Sequence, residues 1–414
     1  MPNKNLLRIT RDFSMKNTFL LLLIFPLTVI IARPKTFTRE YTYKASDYDS
    51  KVTSRVNALE EVKRLLLEEV AVFMQSEFED SQWEKRIGNE IESGESTEKR
   101  LISITAGITQ TEILEEKWTG TEYWLKAKIT IDPDEMKKQM DSILQDKEKT
   151  KELEKTRQMA DDAREEIQRL KQELESVKNE KEQIALQSAY KKNVDQLDAI
   201  DWYNKGNAAQ LKNEYDKAKS FYLRAIEINP DFSEAYCNLG VAYKNRGNYA
   251  DAINCYKKAI EINPDFSEAY NNLGIVYDEQ ENYSDAINCY KKAIEINPDF
   301  SEAYNNLGIV YDEQENYSDA IKCYKKAIEI NPDYSDAYVN LGVVYYNQEN
   351  YSDAIKCYKK AIEINPDFSL AYNNLGAVYN KQGRYSDAIK CLRNSARLGH
   401  IQAQNSLREI GEEW

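Results

Sequence analysis

A 34-residue period runs through the second half of this chain. Pro230, Pro264, Pro298, Pro332 and Pro366 are spaced by 34 residues, and so are Gly206, Gly240, Gly274, Gly308, Gly342 and Gly376. A fixed period of about 20–50 residues means a stack of repeated units, each of which buries its apolar faces only against its neighbours. Such a stack presents an extended surface, not a closed catalytic pocket.

At 414 residues the chain is too long for one ordinary core, so two or three structural units are expected. The net charge of −14 argues against affinity for nucleic acid phosphates or anionic membrane surfaces. The single histidine, His400, excludes a histidine-based triad or a multi-histidine metal site. Cys255, Cys289, Cys323, Cys357 and Cys391 occupy one repeat position, and Cys237 another. Equivalent atoms in stacked helix pairs sit roughly 9–10 Å apart, whereas a disulfide needs Cα atoms within about 7 Å. The cysteines therefore read as small packing residues. No phosphate-binding Gly-Lys loop and no CxxC pair is present. No catalytic residue, metal or cofactor is expected.

Near the N-terminus, Lys4, Arg8, Arg11 and Lys16 precede the apolar run Thr18–Ala32. A basic stretch followed by an apolar one is a secretory pattern, and 15 residues is short for a span that needs about 20. Export to the periplasm or cell envelope is expected, with residues 1–34 either cleaved or retained as an anchor. Any membrane contact is expected through this segment alone.

Residues 35–133 read as a small α/β domain. Thr36–Lys44 alternates like a strand, and Asp47–Ser76 carries Val52, Val56, Leu59, Val62, Leu66, Val70 and Phe73 at helical spacing. Residues 77–99 are charged and irregular. Leu101–Glu115 and Glu122–Asp132 are expected as two strands joined at Thr119-Gly120, giving a β-α-β-β order. Residues 134–198 read as one coiled-coil helix. Leu153, Ala160, Ile167 and Leu174 take one seam position and Ala163, Leu170, Val177 and Ile184 the other, with Thr156 and Lys181 as polar interruptions. Two uses fit: a homodimer through residues 153–184, or a lone charged helix spacing two domains.

The repeats themselves span 199–232, 233–266, 267–300, 301–334, 335–368 and 369–402, followed by a closing helix over 403–414. A typical unit reads SEAYNNLGIVYDEQENYSDAIKCYKKAIEINPDY. The pattern Y-x-x-L-G-x-x-Y, with Ala, Tyr, Ala and Pro at later fixed positions, resembles the tetratricopeptide repeat over about half the chain. The family's tryptophan at position four survives only as Trp202; Tyr236, Tyr270, Tyr304, Tyr338 and Tyr372 replace it. The resemblance implies a mainly α solenoid of six helix pairs. In it Gly274 and Ala286 allow close helix approach, and Tyr270, Leu273, Tyr277, Tyr290 and Ala293 are buried. Pro298 ends the second helix, and Asp265 with Glu268 has capping-box spacing. Repeat six departs from the pattern at Leu392, Ser395 and His400. The closing helix should turn Leu407 and Ile410 inward.

In this family the first helix of each repeat lines the concave face. Its sixth position is Asn204, Asn238, Asn272, Asn306, Asn340 and Asn374. This is similar to the asparagine ladder of O-linked N-acetylglucosamine transferase, though no transferase domain follows. A primary amide offers a donor and an acceptor, matching a peptide unit of any sequence; the competing reading is that these side chains satisfy local helix contacts. Positions two, twelve and thirteen flank the row: Glu268, Asp278, Glu279, Glu302, Asp312 and Glu313. They make its middle acidic and suit an extended segment of neutral or basic character, unless they form a solvated face with Glu268 and Glu302 as caps. The Lys-Lys pairs from Lys257-Lys258 to Lys359-Lys360 read as a solvated surface, with Lys257 pairing to Glu261. The Asn-Tyr-Ser triplets at Asn282, Asn316 and Asn350 read as inter-helix turns. Two roles follow: a scaffold binding a peptide segment of a partner, or a structural spacer whose coiled coil and N-terminal domain make the contacts.

Overall fold

The computed structural model describes residues 34–77, 97–145 and 147–413. The apolar run Thr18–Ala32 and most of the irregular 77–99 stretch lie outside them. Among the described residues no helix is long and apolar enough to cross a membrane.

The chain opens with β1 (Lys35–Lys44), α1 (Lys51–Glu77), α2 (Thr97–Ile108), β2 (Thr111–Trp118) and β3 (Glu122–Ile131). The strands form an antiparallel sheet of order β1-β3-β2, with Phe37 opposite Ile129 and Tyr43 opposite Tyr123. Tyr123, Leu125, Ala127 and Ile129 alternate inward from β3 and pack on Leu59, Val62, Leu66 and Val70 of α1. Gly120, at φ +101°, makes the expected β2–β3 turn.

The expected strand over Leu101–Glu115 is only half present, because residues 101–108 are helical. Their β-branched content suggested a strand, yet the buried residues Leu101, Ile104, Thr105 and Ile108 recur at three- and four-residue spacing. Burial of one face against α1 and the sheet outweighs β propensity. Val52, expected inward, is exposed.

The single coiled-coil helix over 134–198 is also replaced. Asp132 caps α3 (Pro133–Gln145), accepting from the backbone N–H groups of Asp134 and Glu135, both at 3.1 Å. Next come α4 (Lys147–Ser176) and α5 (Glu180–Leu211), which pack against each other. Asn179 ends the intervening break by accepting from Lys181 N at 3.0 Å and Glu182 N at 3.3 Å, capping α5. Ala160, Ala163, Ile167, Leu170 and Leu174 of the seam lie buried with Tyr190, Val194, Leu197, Ile200 and Tyr203 of α5. Leu153 enters the sheet-domain core, and Ile184 is exposed. The homodimer expected through 153–184 thus loses the apolar seam that motivated it, since the seam is filled within one chain. Helix α5 also crosses the expected boundary at 198 without interruption and supplies the first helix of repeat one.

The remaining helices alternate as pairs. After α5 come α6 (Tyr215–Ile228), α7 (Ser233–Lys244), α8 (Tyr249–Ile262), α9 (Ser267–Glu279), α10 (Tyr283–Ile296) and α11 (Ser301–Glu313). Then follow α12 (Tyr317–Ile330), α13 (Ser335–Asn347), α14 (Tyr351–Ile364), α15 (Ser369–Lys381), α16 (Tyr385–Arg397) and α17 (Ile401–Glu409). Asn297, ahead of Pro298, is extended as expected, at φ −121° and ψ 93°. The capping box does not form. Phe266 is the residue that precedes α9, and the backbone N–H of Asp265 is tied to Asn263 Oδ1 at 3.2 Å. Asn282 and Asn316 do sit at inter-helix turns, bonding Asp285 and Asp319 at 2.7 and 2.9 Å. On the second helices it is Lys258, not Lys257, that pairs with Glu261, at 2.8 Å. Lys257 lies over the Tyr277 ring of the next repeat. All six cysteines are free, and burial pushes the thiols of Cys289, Cys323, Cys357 and Cys391 up to about 11.

Each helix pair closes on one contact. A Cβ added to Gly240, Gly274, Gly308 or Gly342 would fall 2.6–2.7 Å from a ring carbon of Tyr256, Tyr290, Tyr324 or Tyr358. These rings are almost wholly buried. Repeat six has Leu392 in place of the tyrosine, and a Cβ on Gly376 would meet nothing closer than 3.3 Å. Ser395 compensates its own substitution by donating to the Ser369 carbonyl at 2.8 Å. His400 caps α17 through Nδ1, which accepts from Ala403 N at 3.3 Å. Ala403 and Leu407 face inward from α17, whereas Ile410, expected beside them, is exposed.

The contrast between repeats yields a prediction of unequal cost. Gly308→Ala should destabilise the array by about 1–3 kcal/mol through overpacking. Gly376→Ala should cost clearly less, since its Cβ would press on the Ala388 carbonyl and Leu392 only at 3.3 Å and helix propensity offsets that crowding by up to about 1 kcal/mol. Urea unfolding of the two variants measures this, and equal losses in both would contradict the packing account.

Candidate functional site: the concave groove

The first helices of the repeats carry the asparagine row, and all six asparagines are half-buried. Their amides are partly committed to the array. Asn306 Nδ2 donates to Asn271 Oδ1 at 3.1 Å, Asn340 Nδ2 to Asn305 Oδ1 at 3.0 Å, and Asn272 Nδ2 to Cys237 Sγ at 3.5 Å. Position six of one repeat thus bonds position five of the repeat before it. For Asn374 that position is Val339, which has no side-chain acceptor, and no such bond forms. The local-contact reading therefore holds for the NH2 group of these three residues, while their carbonyl oxygens have no partner among the described residues.

The second asparagine is engaged by the chain itself. Helix α4 lies against α5 and α7 at the N-terminal end of the groove. Glu152 Oε1 accepts from Asn238 Nδ2 at 2.7 Å and from the Tyr203 hydroxyl. Asn238 also donates to Tyr203 Oη at 2.8 Å and Asn207 Oδ1 at 3.0 Å. Lys155 Nζ sits 2.6 Å from Glu234 Oε1 and 5.5 Å from the centroid of the Phe266 ring. Asn204 borders a different, smaller cavity of about 140 Å³ between α1, α2, α4 and α5. Sequence reasoning missed Glu152 and Lys155. Residues 147–158 are charged almost throughout, and nothing in them marks which charges turn toward the repeats.

Beside α4 the groove opens into a cavity of about 550 Å³. The structure brings Asn238, Asn272, Glu268 and Glu302 together around it, with Phe266 and Phe300. Glu268 and Glu302 accept from the hydroxyls of Ser267 and Ser301, at 2.9 and 3.0 Å, instead of capping their helices. Asp278, Glu279, Asp312 and Glu313 do not line this cavity. Glu279 and Glu313 approach the hydroxyls of Tyr249 and Tyr283 in the preceding repeats. Asp278 is half-buried with Oδ1 unpartnered. Burial, then the carboxylates of Glu313 and Glu279, push it up to about 6. Burial and Glu313 likewise raise Asp312.

The α4 contact is held from below by buried charge. Lys63 of α1 pairs with Glu60 at 2.9 Å and with Asp201 of α5; Lys205 reaches Asp201 at 2.8 Å, and Arg164 of α4 reaches Glu60 at 2.7 Å. Burial works against ionisation of Glu60, but Lys63 and Arg164 together outweigh it and hold the carboxyl below its usual range. Asp49 adds a second tie. It accepts from the hydroxyls of Tyr190 on α5 and Tyr43 on β1, the latter at 2.9 Å. The sheet domain, the α4–α5 hairpin and repeat one are therefore joined by polar as well as apolar contacts.

A stack of helix pairs whose first helices line a concave face, with side-chain polar groups repeated along it, is an α-solenoid of the protein-binding class. The chain belongs to the tetratricopeptide repeat family. Family models described as tetratricopeptide repeat match residues 199–232, 233–266, 267–300, 301–334 and 335–368, and a second such model matches 357–390. The last match is offset from the 369–402 frame and ends at residue 390, before Leu392, Ser395 and His400. No curated protein matches the chain. Among solved structures, one of MamA is 31% identical, covering 40% of this chain and 97% of that one, with a TM-score of 0.36. YrrB, described as a tetratricopeptide protein with an unusual peptide-binding site, is 23% identical over 45% and 97%, with a TM-score of 0.37. PilF of Pseudomonas aeruginosa is 19% identical over 51% and 97%, with a TM-score of 0.46.

The raised carboxyl of Asp278 carries a pH prediction. The folded chain holds this proton more tightly than the unfolded chain, whose aspartate titrates near 3.8. The stabilisation is complete below that pH and is lost as the pH rises through about 6. At neutral pH the ionised side chain is a cost, so Asp278→Asn should be more stable than the native chain there. The difference should vanish as the pH falls from 6 towards 3.8. Thermal melts across this range measure it, and a pH-independent difference would contradict the assignment.

Proposed function

We propose that the chain is an exported or membrane-tethered scaffold whose groove, from repeat three to repeat six, holds an extended segment of a partner protein. The observation that carries this is the state of the ladder. Asn272, Asn306, Asn340 and Asn374 recur along four successive first helices with carbonyl oxygens unused, while the Asn238 amide is taken by Glu152 of α4 and Asn204 borders a separate cavity. Stacked helix pairs advance roughly 9–10 Å per repeat, and a peptide in the polyproline II conformation advances about 9 Å in each three-residue turn. One rung thus meets every third residue of a bound segment and can accept from its free backbone N–H whatever the side chain. Glu268 and Glu302 favour a segment of neutral or basic character. The basic residues before the apolar run Thr18–Ala32 support export. The role is one of binding, in keeping with a family that consists in general of non-enzymatic scaffolds. The spacer reading has less to rest on, because the apolar seam it would use is filled inside the chain.

Asn374 gives the cleanest test, since it makes no bond to the preceding repeat. Asn374→Ala should keep the native helical spectrum and melting point yet weaken capture of the partner from the envelope fraction by several-fold, as expected for one lost hydrogen bond of about 0.5–1.5 kcal/mol. Asn272→Ala, Asn306→Ala and Asn340→Ala combined should reduce capture further. Their own bonds to repeats two, three and four mean that they also cost stability, so they are scored below the melting transition. Undiminished capture by both variants would end the ladder proposal.

A further inference from the structure

We propose that Glu268 and Glu302 are two open seats for basic side chains of the partner, and that Glu234 with Lys155 is the same seat already filled. The proposal rests on the groove reading above and deepens it by assigning side-chain chemistry to the bound segment.

The filled seat has three parts. Glu234 stands at position two of repeat two and is buried. Its Oε2 accepts from its neighbour, Ser233 Oγ, at 2.8 Å. Its Oε1 takes the Lys155 ammonium at 2.6 Å, and that ammonium lies 5.5 Å from the ring of Phe266, the residue preceding the next first helix. A carboxylate and an aromatic face together favour a cation more than either alone.

The same parts recur one repeat on. Glu268 Oε2 accepts from Ser267 at 2.9 Å, and Phe300 precedes the following helix. They recur again at Glu302, whose Oε2 accepts from Ser301 at 3.0 Å, with Tyr334 at the equivalent place. In both, the serine occupies the same oxygen as in the filled seat. The oxygen corresponding to the one that holds Lys155 has no partner among the described residues. Both glutamates line the 550 Å³ cavity. Helix α4 covers Glu234, but Glu268 and Glu302 remain half-buried. The series weakens to Asp336 and ends at Leu370. Seats one repeat apart match basic residues three apart in a segment of polyproline II conformation, whose three residues per turn and roughly 3.1 Å rise bring every third side chain to the same face after about 9 Å.

The test uses the full chain and a short fluorescein-labelled Ser/Ala peptide with lysine at every third position, beside a counterpart with glutamine at those places. Fluorescence anisotropy should show the lysine peptide bound at least about tenfold more tightly than the glutamine peptide. Glu268→Gln with Glu302→Gln, which keeps the serine bonds, should remove that preference. Glu279→Gln with Glu313→Gln, which removes equal charge outside the cavity, should leave it intact. Equal binding of the two peptides, an unchanged preference in the Glu268/Glu302 variant, or no binding of the lysine peptide would each overturn the proposal. If both peptides bind equally and Asn374→Ala weakens both, the seats fail while the groove reading stands.

Discussion

A tyrosine ring packed against a glycine holds each helix pair together, and the groove follows from that contact. Where the ring is present there is no room for a Cβ on the facing helix: the separation left at Gly206, Gly240, Gly274, Gly308 and Gly342 is under 3 Å. The close approach sets the tilt of the first helix relative to the second, and repetition of the tilt lines the asparagines up on one side. Repeat six gives up the ring, and the space beside Gly376 is less tight, with the nearest atoms 3.3 Å from where a Cβ would lie. It also gives up the proline, and His400 starts α17, which covers the end of the stack with Ala403 and Leu407. An array of nearest-neighbour units needs such covers at both ends.

At the N-terminal end the cover is α4, and it does more than exclude water. The hairpin with α5 buries the apolar face of repeat one, while Glu152 and Lys155 engage position six and position two of repeat two. The sheet domain is tied to the same hairpin through Lys63, Arg164 and Asp49. Breaking one partner of such a buried network is costly, because the other charge stays behind without compensation. This gives the N-terminal domain a physical role: it holds α4 in place and so sets where the open groove begins.

The repeats, their frame and the helix pairs were legible because a strict period repeats the same evidence in every unit. So was the inward alternation of β3, where a two-residue period leaves little ambiguity. Leu101–Ile108 was misread because β-branched residues there mask a three-four spacing that only burial against α1 makes decisive. The seam of α4 was read correctly as apolar, but a heptad pattern does not say which partner fills it. Here Asn179 turns the chain back and supplies that partner from α5. The capping box failed because Asn263 claims the backbone of Asp265 first. Within the ladder, residue identity located the row, whereas the commitment of each NH2 to the preceding repeat depends on position five, which changes from Cys237 to Asn271, Asn305 and Val339. The pairing of Lys155 with Glu234 had no local signature at all, since it joins residues far apart in a uniformly charged sequence.

The central claim is that α4 is an integral part of the repeat array and closes its groove at repeat two. Hydrogen–deuterium exchange on the full chain tests it most directly. If the claim holds, backbone amides of residues 147–176 exchange as slowly as those of α5 and α7 and lose protection together with them as denaturant is added. If residues 147–176 instead exchange freely while α7 stays protected, α4 is a solvated spacer, and the account of where the groove begins is wrong.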